Sequence, residues 1–278
     1  MKTFFKLYFI PGVIMLFSCN TTRYTYTASP PNNPYFTQKN QSKLAAYFTS
    51  SSNHILNNNY AHGVDVQAAY SLTNHLAVTS SFFYQKEKNV YNYFSSYNKP
   101  FDSSLVMYHR NLFDIGGGYF ANLNRSNTLS INILGSYSFG KFSFNDNGLD
   151  SNGTNYSRYH SSNISRWYLQ PAINFTPSEV VTVALIFKPT LVHYANISTS
   201  YSPSELDYFK LSNIQNKTKG FIEIATNLQV TIPECPWLKI DFILSRVGEN
   251  TGIKPGTVRK FNASLGLCVD FSKMKTKK

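Results

Sequence analysis

The run Lys260–Phe271 alternates without a break: Phe261, Ala263, Leu265, Leu267, Val269 and Phe271 fall on one side, and Lys260, Asn262, Ser264, Gly266, Cys268 and Asp270 on the other. A side-chain period of two is that of a β-strand with one apolar and one polar face. The same period recurs along the chain, giving ten runs at approximately 43–50, 62–71, 75–86, 107–120, 128–141, 164–176, 179–194, 219–232, 237–247 and 258–271. In the fifth, Leu129, Ile131, Ile133, Tyr137 and Phe139 oppose Ser130, Asn132, Ser136 and Ser138. In the eighth, Ile222, Ile224, Leu228, Val230 and Ile232 oppose Glu223, Asn227, Gln229 and Thr231. Most of these runs exceed the roughly five or six residues of an ordinary soluble strand. They match the length that a tilted strand needs to cross a bilayer.

The connections alternate in length. Short links lie at Leu72–Asn74, Ala121–Asn127, Pro177–Ser178 and Pro233–Pro236. Longer polar ones lie at Ser51–Ala61, Glu87–Val106, Phe142–Asn163, Ala195–Thr218 and Gly248–Thr257. A barrel with tight turns at one end and loops at the other produces that asymmetry. Charged residues are few (14%) and aromatics many (16%) in the 278 residues. The slightly negative mean hydropathy argues against a helical membrane protein. The formal charge of +12 is scattered, part of it in Lys273, Lys275, Lys277 and Lys278, with no basic helix or basic-aromatic motif, so no nucleic-acid partner is expected. An anionic lipid surface accounts for it more simply.

At the amino end, Lys2 and Lys6 precede the short apolar stretch Leu7–Phe17, which reads as an export signal. Its end, Leu16-Phe17-Ser18-Cys19, resembles the lipobox of bacterial lipoproteins. That resemblance implies a signal peptide over 1–18 and lipidation of Cys19. Residues 19–42, with Pro30, Pro31 and Pro34 and no sustained apolar period, read as a lipidated linker.

From Lys43 to Phe271 the chain resembles the small outer-membrane β-barrels of Gram-negative bacteria. The resemblance implies an all-β, antiparallel, up-and-down transmembrane barrel of about ten strands (eight to twelve), with 272–278 as a basic tail. An even strand count places both termini in the periplasm, with the Cys19 lipid in the inner leaflet. Tyr70, Tyr119, Phe120, Phe175, Trp237 and Phe271 below, and Tyr84, Phe139 and Trp167 above, would form the interfacial girdles.

The polar faces put Arg110, Asp114, Arg166, Gln170, Lys188, Glu223, Lys239 and Asp241 in the lumen. Ten strands make a narrow barrel, so these side chains are expected to pair and fill it as a packed ionic core, or to leave a small selective pore lined by Arg110, Arg166, Lys188 and Glu223. No catalytic motif is present. His62, His109, His160 and His193 fall near the outer rim, with Asp65 and Asp114 as acids that could orient them. Asn145–Asp150 reads as a turn-rich loop lacking a full calcium-loop spacing, so no metal or cofactor site is expected. Tyr91, Tyr93, Phe94 and Tyr97 make an aromatic loop suited to extracellular protein or glycan contacts. Cys235 and Cys268 approach the periplasmic end together and form a candidate disulfide in an oxidising compartment. The sequence favours a noncatalytic envelope protein, set against a narrow channel, an enzyme acting on lipid or peptide, and a soluble β-sandwich lipoprotein.

Overall fold

The computed structural model describes residues 23–52, 60–92, 101–150, 152–214, 217–249 and 258–274. Strands β1 (Ser42–Ser52), β2 (Tyr60–Ser71), β3 (Leu76–Asn92), β4 (Phe101–Asn122), β5 (Leu129–Asp150), β6 (Asn155–Phe175), β7 (Val181–Thr199), β8 (Thr218–Ile232), β9 (Cys235–Glu249) and β10 (Phe261–Asp270) follow one another around a closed sheet. Every pair is antiparallel, and β1 closes on β10 with Lys43 opposite Asp270 and Ser50 opposite Ala263. Each periodic run of the sequence lies on one of these strands. A sandwich is excluded: a single closed sheet leaves no edge strand. A short helix α1 (Pro203–Tyr208) lies between β7 and β8, and α2 (Phe271–Met274) follows β10.

In the half of the barrel nearer the short turns, the faces are inverted relative to a soluble protein. Phe48, Ile115, Trp167, Leu185 and Leu265 face outward with more than half of their surface exposed, while Gln67, Asp114, Gln170, Asn227 and Asp241 face inward and are buried. This apolar outward belt is what a barrel surrounded by lipid presents. Tyr70, Tyr119, Phe175 and Phe271 are exposed near the short turns, and Phe139 and Trp167 near the opposite border. Phe120 departs from the expected girdle. Its neighbour Tyr119 takes the outward position, so Phe120 turns inward and meets Phe36 edge-on at 5.9 Å.

Strands β3 to β7 run well past the belt, through much of what the sequence presents as polar connections. Beyond the belt apolar side chains come inward on β4 to β7, while β3 keeps Gln85, Glu87 and Asn89 inside. In β5 the inward residues become Phe142, Phe144 and Asp146, while Lys141, Ser143 and Asn145 face out. Val106, Tyr108, Val192 and Tyr194 join Phe142 and Phe144 in one buried cluster. The lower half is therefore polar inside and apolar outside, and the upper extension is built like a water-soluble barrel. Asn145–Asp150 is accordingly not a turn-rich loop: it is the last stretch of β5, paired to Tyr159–Asn155 and Met107–Phe101 on its flanks.

Candidate functional site

A lumen lined by charges and amides needs partners for them, and several come from an unexpected source. Residues 23–36 run down the barrel axis from the long-loop end to the short-turn end, and nearly all are buried. The sequence presents this stretch as a linker; it is instead an internal strap. The three prolines suit the role. An extended chain inside a narrow lumen must satisfy its own N–H and C=O groups, and proline carries no N–H to satisfy. The strap's carbonyl oxygens accept from the wall: Ala28 from Asn262 (2.8 Å), Ser29 from Lys188 (3.2 Å), Pro30 from Gln67 (3.2 Å), Asn32 from Gln170 (3.0 Å) and Asn33 from Lys43 (2.9 Å).

At the long-loop end, Arg23 lies 2.5 Å from Asp146 and donates to Ser104, and its guanidinium sits 3.9 Å from the Phe209 ring centroid. Tyr201, from the segment leading into α1, donates to the same Asp146 at 2.5 Å. Phe209 and Leu211, just after α1, are buried here, so the β7–β8 connection folds over the mouth and holds the head of the strap. One turn of the wall lower, Glu87 takes ion pairs from Arg110 (2.9 Å) and Arg259 (2.6 Å), and Arg110 also donates to the Tyr24 carbonyl (2.8 Å). Tyr26 stacks on Phe221 with ring centroids 4.2 Å apart, donates to Glu223 and forms a single parallel bridge with Val258.

Mid-barrel, Arg166 joins Asp114 (2.9 Å) and donates to the Ser29 hydroxyl (3.0 Å), and Lys188 joins Glu223 (2.9 Å). Near the short turns, Lys43 and Gln229 flank Asp241 at 3.5 and 2.7 Å, and Tyr47 donates to it at 2.7 Å. Lys239 pairs with Asp270 at 3.6 Å. Tyr35 leaves the lumen in a left-handed conformation (φ 54°), with its hydroxyl on Asn227, and Asn40 (φ 64°) completes the reversal into β1.

All eight lumen residues named from the sequence thus face inward: Arg110, Asp114, Arg166, Gln170, Lys188, Glu223 and Asp241 are buried and Lys239 is nearly so. Arg23, Glu87, Asp146 and Arg259 are additional. Glu87 and Asp146 belong to strand extensions that the sequence presents as polar connections. Arg259 shares the parity of outward Phe261, but it precedes the first residue of β10 and turns inward.

The four rim histidines do not converge. His160 is buried and stacked on Phe144 at 5.2 Å, whereas His62, His109 and His193 stand on outward positions, away from the inward Asp65 and Asp114. Cys235 and Cys268 are both free, so the candidate disulfide is not formed: Cys268 points into the lumen opposite Lys239, and Cys235 begins β9 beside Ile232. Of the aromatic loop, Tyr91 packs against Arg23, while Tyr93, Phe94 and Tyr97 lie outside the described residues. Cys19 also lies outside them. The first and last described residues, Arg23 and Met274, lie at opposite ends of the barrel.

No family model and no curated protein matches the chain. Solved structures that resemble it include the translocator domain of the autotransporter NalP from Neisseria meningitidis (10% identity, TM-score 0.49, 82% of this chain and 87% of that one). The outer membrane protease OmpT from Escherichia coli (10%, 0.45, 85% and 98%) and the NanC porin (11%, 0.36, 82% and 98%) also resemble it.

Proposed function

We propose that the protein is an outer-membrane barrel whose lumen is closed by its own amino-terminal strap and which acts without catalysis, through contacts made by its long-loop face. The strap is the observation that carries this reading. Its contacts use Arg110, Arg166, Gln170, Lys188 and Glu223, the groups a selective pore would need for a solute. The exposed apolar belt supports the membrane location. The elaborated face is the long-loop one, where β3 to β7 project a soluble-type barrel beyond the belt; facing outward from the cell, it presents that surface to extracellular protein or glycan. The test is single-channel recording of the purified protein in planar bilayers. Closed-lumen behaviour means no conductance steps in the intact protein. Regular steps selective for one ion class would replace this reading with that of a narrow channel.

Lipidation of Cys19 belongs to the same proposal, with one change of side. Cys19 precedes Arg23 by four positions, and an extended chain reaches about 14 Å over that distance. A lipid on Cys19 would thus lie on the long-loop side. Mass spectrometry of the amino-terminal peptide tests the modification. Labelling of intact cells by an impermeant amine reagent at an epitope inserted before Arg23 tests the side.

A further inference from the structure

Charge is distributed unevenly over the outer face of the strands. Asp65, Glu87, Asp114, Asp146, Glu223 and Asp241 all face the lumen, and the other carboxylates with described side chains lie in turns, in α1 or at the last residue of a strand. No described carboxylate occupies an outward strand position. Cations do: Lys86 and Lys88 on β3, Lys141 on β5 and Arg246 on β9. All four stand on the long-loop side of the apolar belt. Lys141 directly follows outward Phe139, Arg246 follows Leu244, and Lys86 comes after Phe82 and Tyr84. Lys86 lies opposite His62 on one neighbouring strand and His109 on the other. Basic groups facing each other across a sheet repel when both carry charge, and no acid among the described residues of that face offsets them.

We propose that the collar centred on Lys86, Lys88 and Lys141 binds the phosphate groups of a phosphorylated glycolipid packed against the barrel in the leaflet on the long-loop side. Depth selects a lipid: Lys86 and Lys141 stand one outward step above the belt and Lys88 two, where headgroups meet water, and not out on the loops where a soluble partner would dock. Spacing suits one headgroup carrying two phosphates, because β3 and β5 are separated by two strand steps, roughly 10 Å. Charge selects the phosphomonoester. Each such group carries close to two negative charges, and the collar has several cations and, among the described residues, no competing carboxylate. Tyr84, whose ring lies 6.0 Å from the Lys86 ammonium, places an aromatic at the same border.

The proposal rests on the membrane reading given above. Its test uses the purified full-length protein in phosphatidylcholine nanodiscs doped with diphosphoryl lipid A, its dephosphorylated form or phosphatidylglycerol, with retained lipid counted by native mass spectrometry. Diphosphoryl lipid A should be retained, and at least tenfold less so by the triple variant K86Q/K88Q/K141Q. R125Q, in a turn at the other end, should match the parent. These side chains are outward and polar, so the variant should still fold, which unheated gel mobility checks. Equal retention by variant and parent would overturn the proposal, as would equal retention of the dephosphorylated lipid or of phosphatidylglycerol. Failure to enter nanodiscs at all would overturn the membrane reading with it, whereas an incorporated barrel with unaltered retention overturns this proposal alone.

Discussion

At the scale of single residues, the lumen is governed by the cost of charge without a partner. Arg166 touches Asp114, Ser138 and the strap residue Ser29, and it has no exposure to water. A buried ion pair adds little net stability over a well-packed apolar pair, but removing one member strands the other and costs about 3–5 kcal/mol. Arg166→Met should therefore lower the urea midpoint of the micelle-embedded barrel strongly. Adding Asp114→Leu to it should recover most of the loss, a coupling that a double-mutant cycle reads directly. His160 makes a different prediction. It lies seven residues beyond Trp167, in the upper extension outside the lipid belt, and burial pushes its pKa down to about 4. The unfolded chain, titrating near 6.5, then binds more protons than the folded one between those values. The stability due to neutral His160 is complete above about pH 6.5 and is lost as pH falls toward 4, by at most roughly 3 kcal/mol. Unfolding midpoints measured at pH 4.5 and 7.5 should show the acid-side loss in the parent and a much smaller one in His160→Phe.

At the scale of elements, the strap and the wall are each incomplete alone. Strap residues 23–36 have no strand partners beyond the Tyr26–Val258 bridge, and the wall without the strap leaves Lys188, Gln170 and Gln67 short of the carbonyl oxygens they meet. The head of the strap is fixed by Arg23 and the mouth-covering segment around α1, whose own first turn is secured by a capping box between Ser202 and Glu205. Arg23→Ala with Tyr26→Ala should loosen the strap without touching the belt. The expected readout is faster proteolysis ahead of β1, together with conductance steps absent from the parent. An unchanged cleavage pattern would mean that the mid-barrel contacts suffice. At the lower end, inward Gly266 leaves room for the Tyr47 ring: a Cβ there would come within 2.3 Å of it. Only glycine fits unless Tyr47, and with it the contact to Asp241, gives way.

At the scale of the whole molecule, two architectures are stacked on one set of strands, a lipid-facing barrel below and a water-facing one above, with the strap passing through both. A closed ladder around an ion-paired interior resists detergent at room temperature. Unheated protein extracted from the outer-membrane fraction should migrate faster on a gel than boiled protein, and release from membranes by alkaline carbonate with no mobility difference would count against the membrane barrel. The ten strands, their order and the inward placement of Arg110, Asp114, Arg166 and Asp241 were legible in the sequence, because a period of two is a local property and a buried face marks itself by composition. The strand extensions were not, because the apolar side changes faces near Lys141 and a run that exchanges its faces looks like polar loop. The strap was not legible either. Residues 23–36 hold only the brief alternation Tyr24, Tyr26, Ala28 before the prolines and no sustained apolar period, and an extended Pro- and Asn-containing segment reads the same whether water or a lumen wall satisfies its backbone. Sequence by itself therefore determined the barrel, through local alternation. Tertiary structure alone decided what fills it, since that depends on pairings such as Arg23 with Asp146, 123 residues apart, that no local pattern encodes.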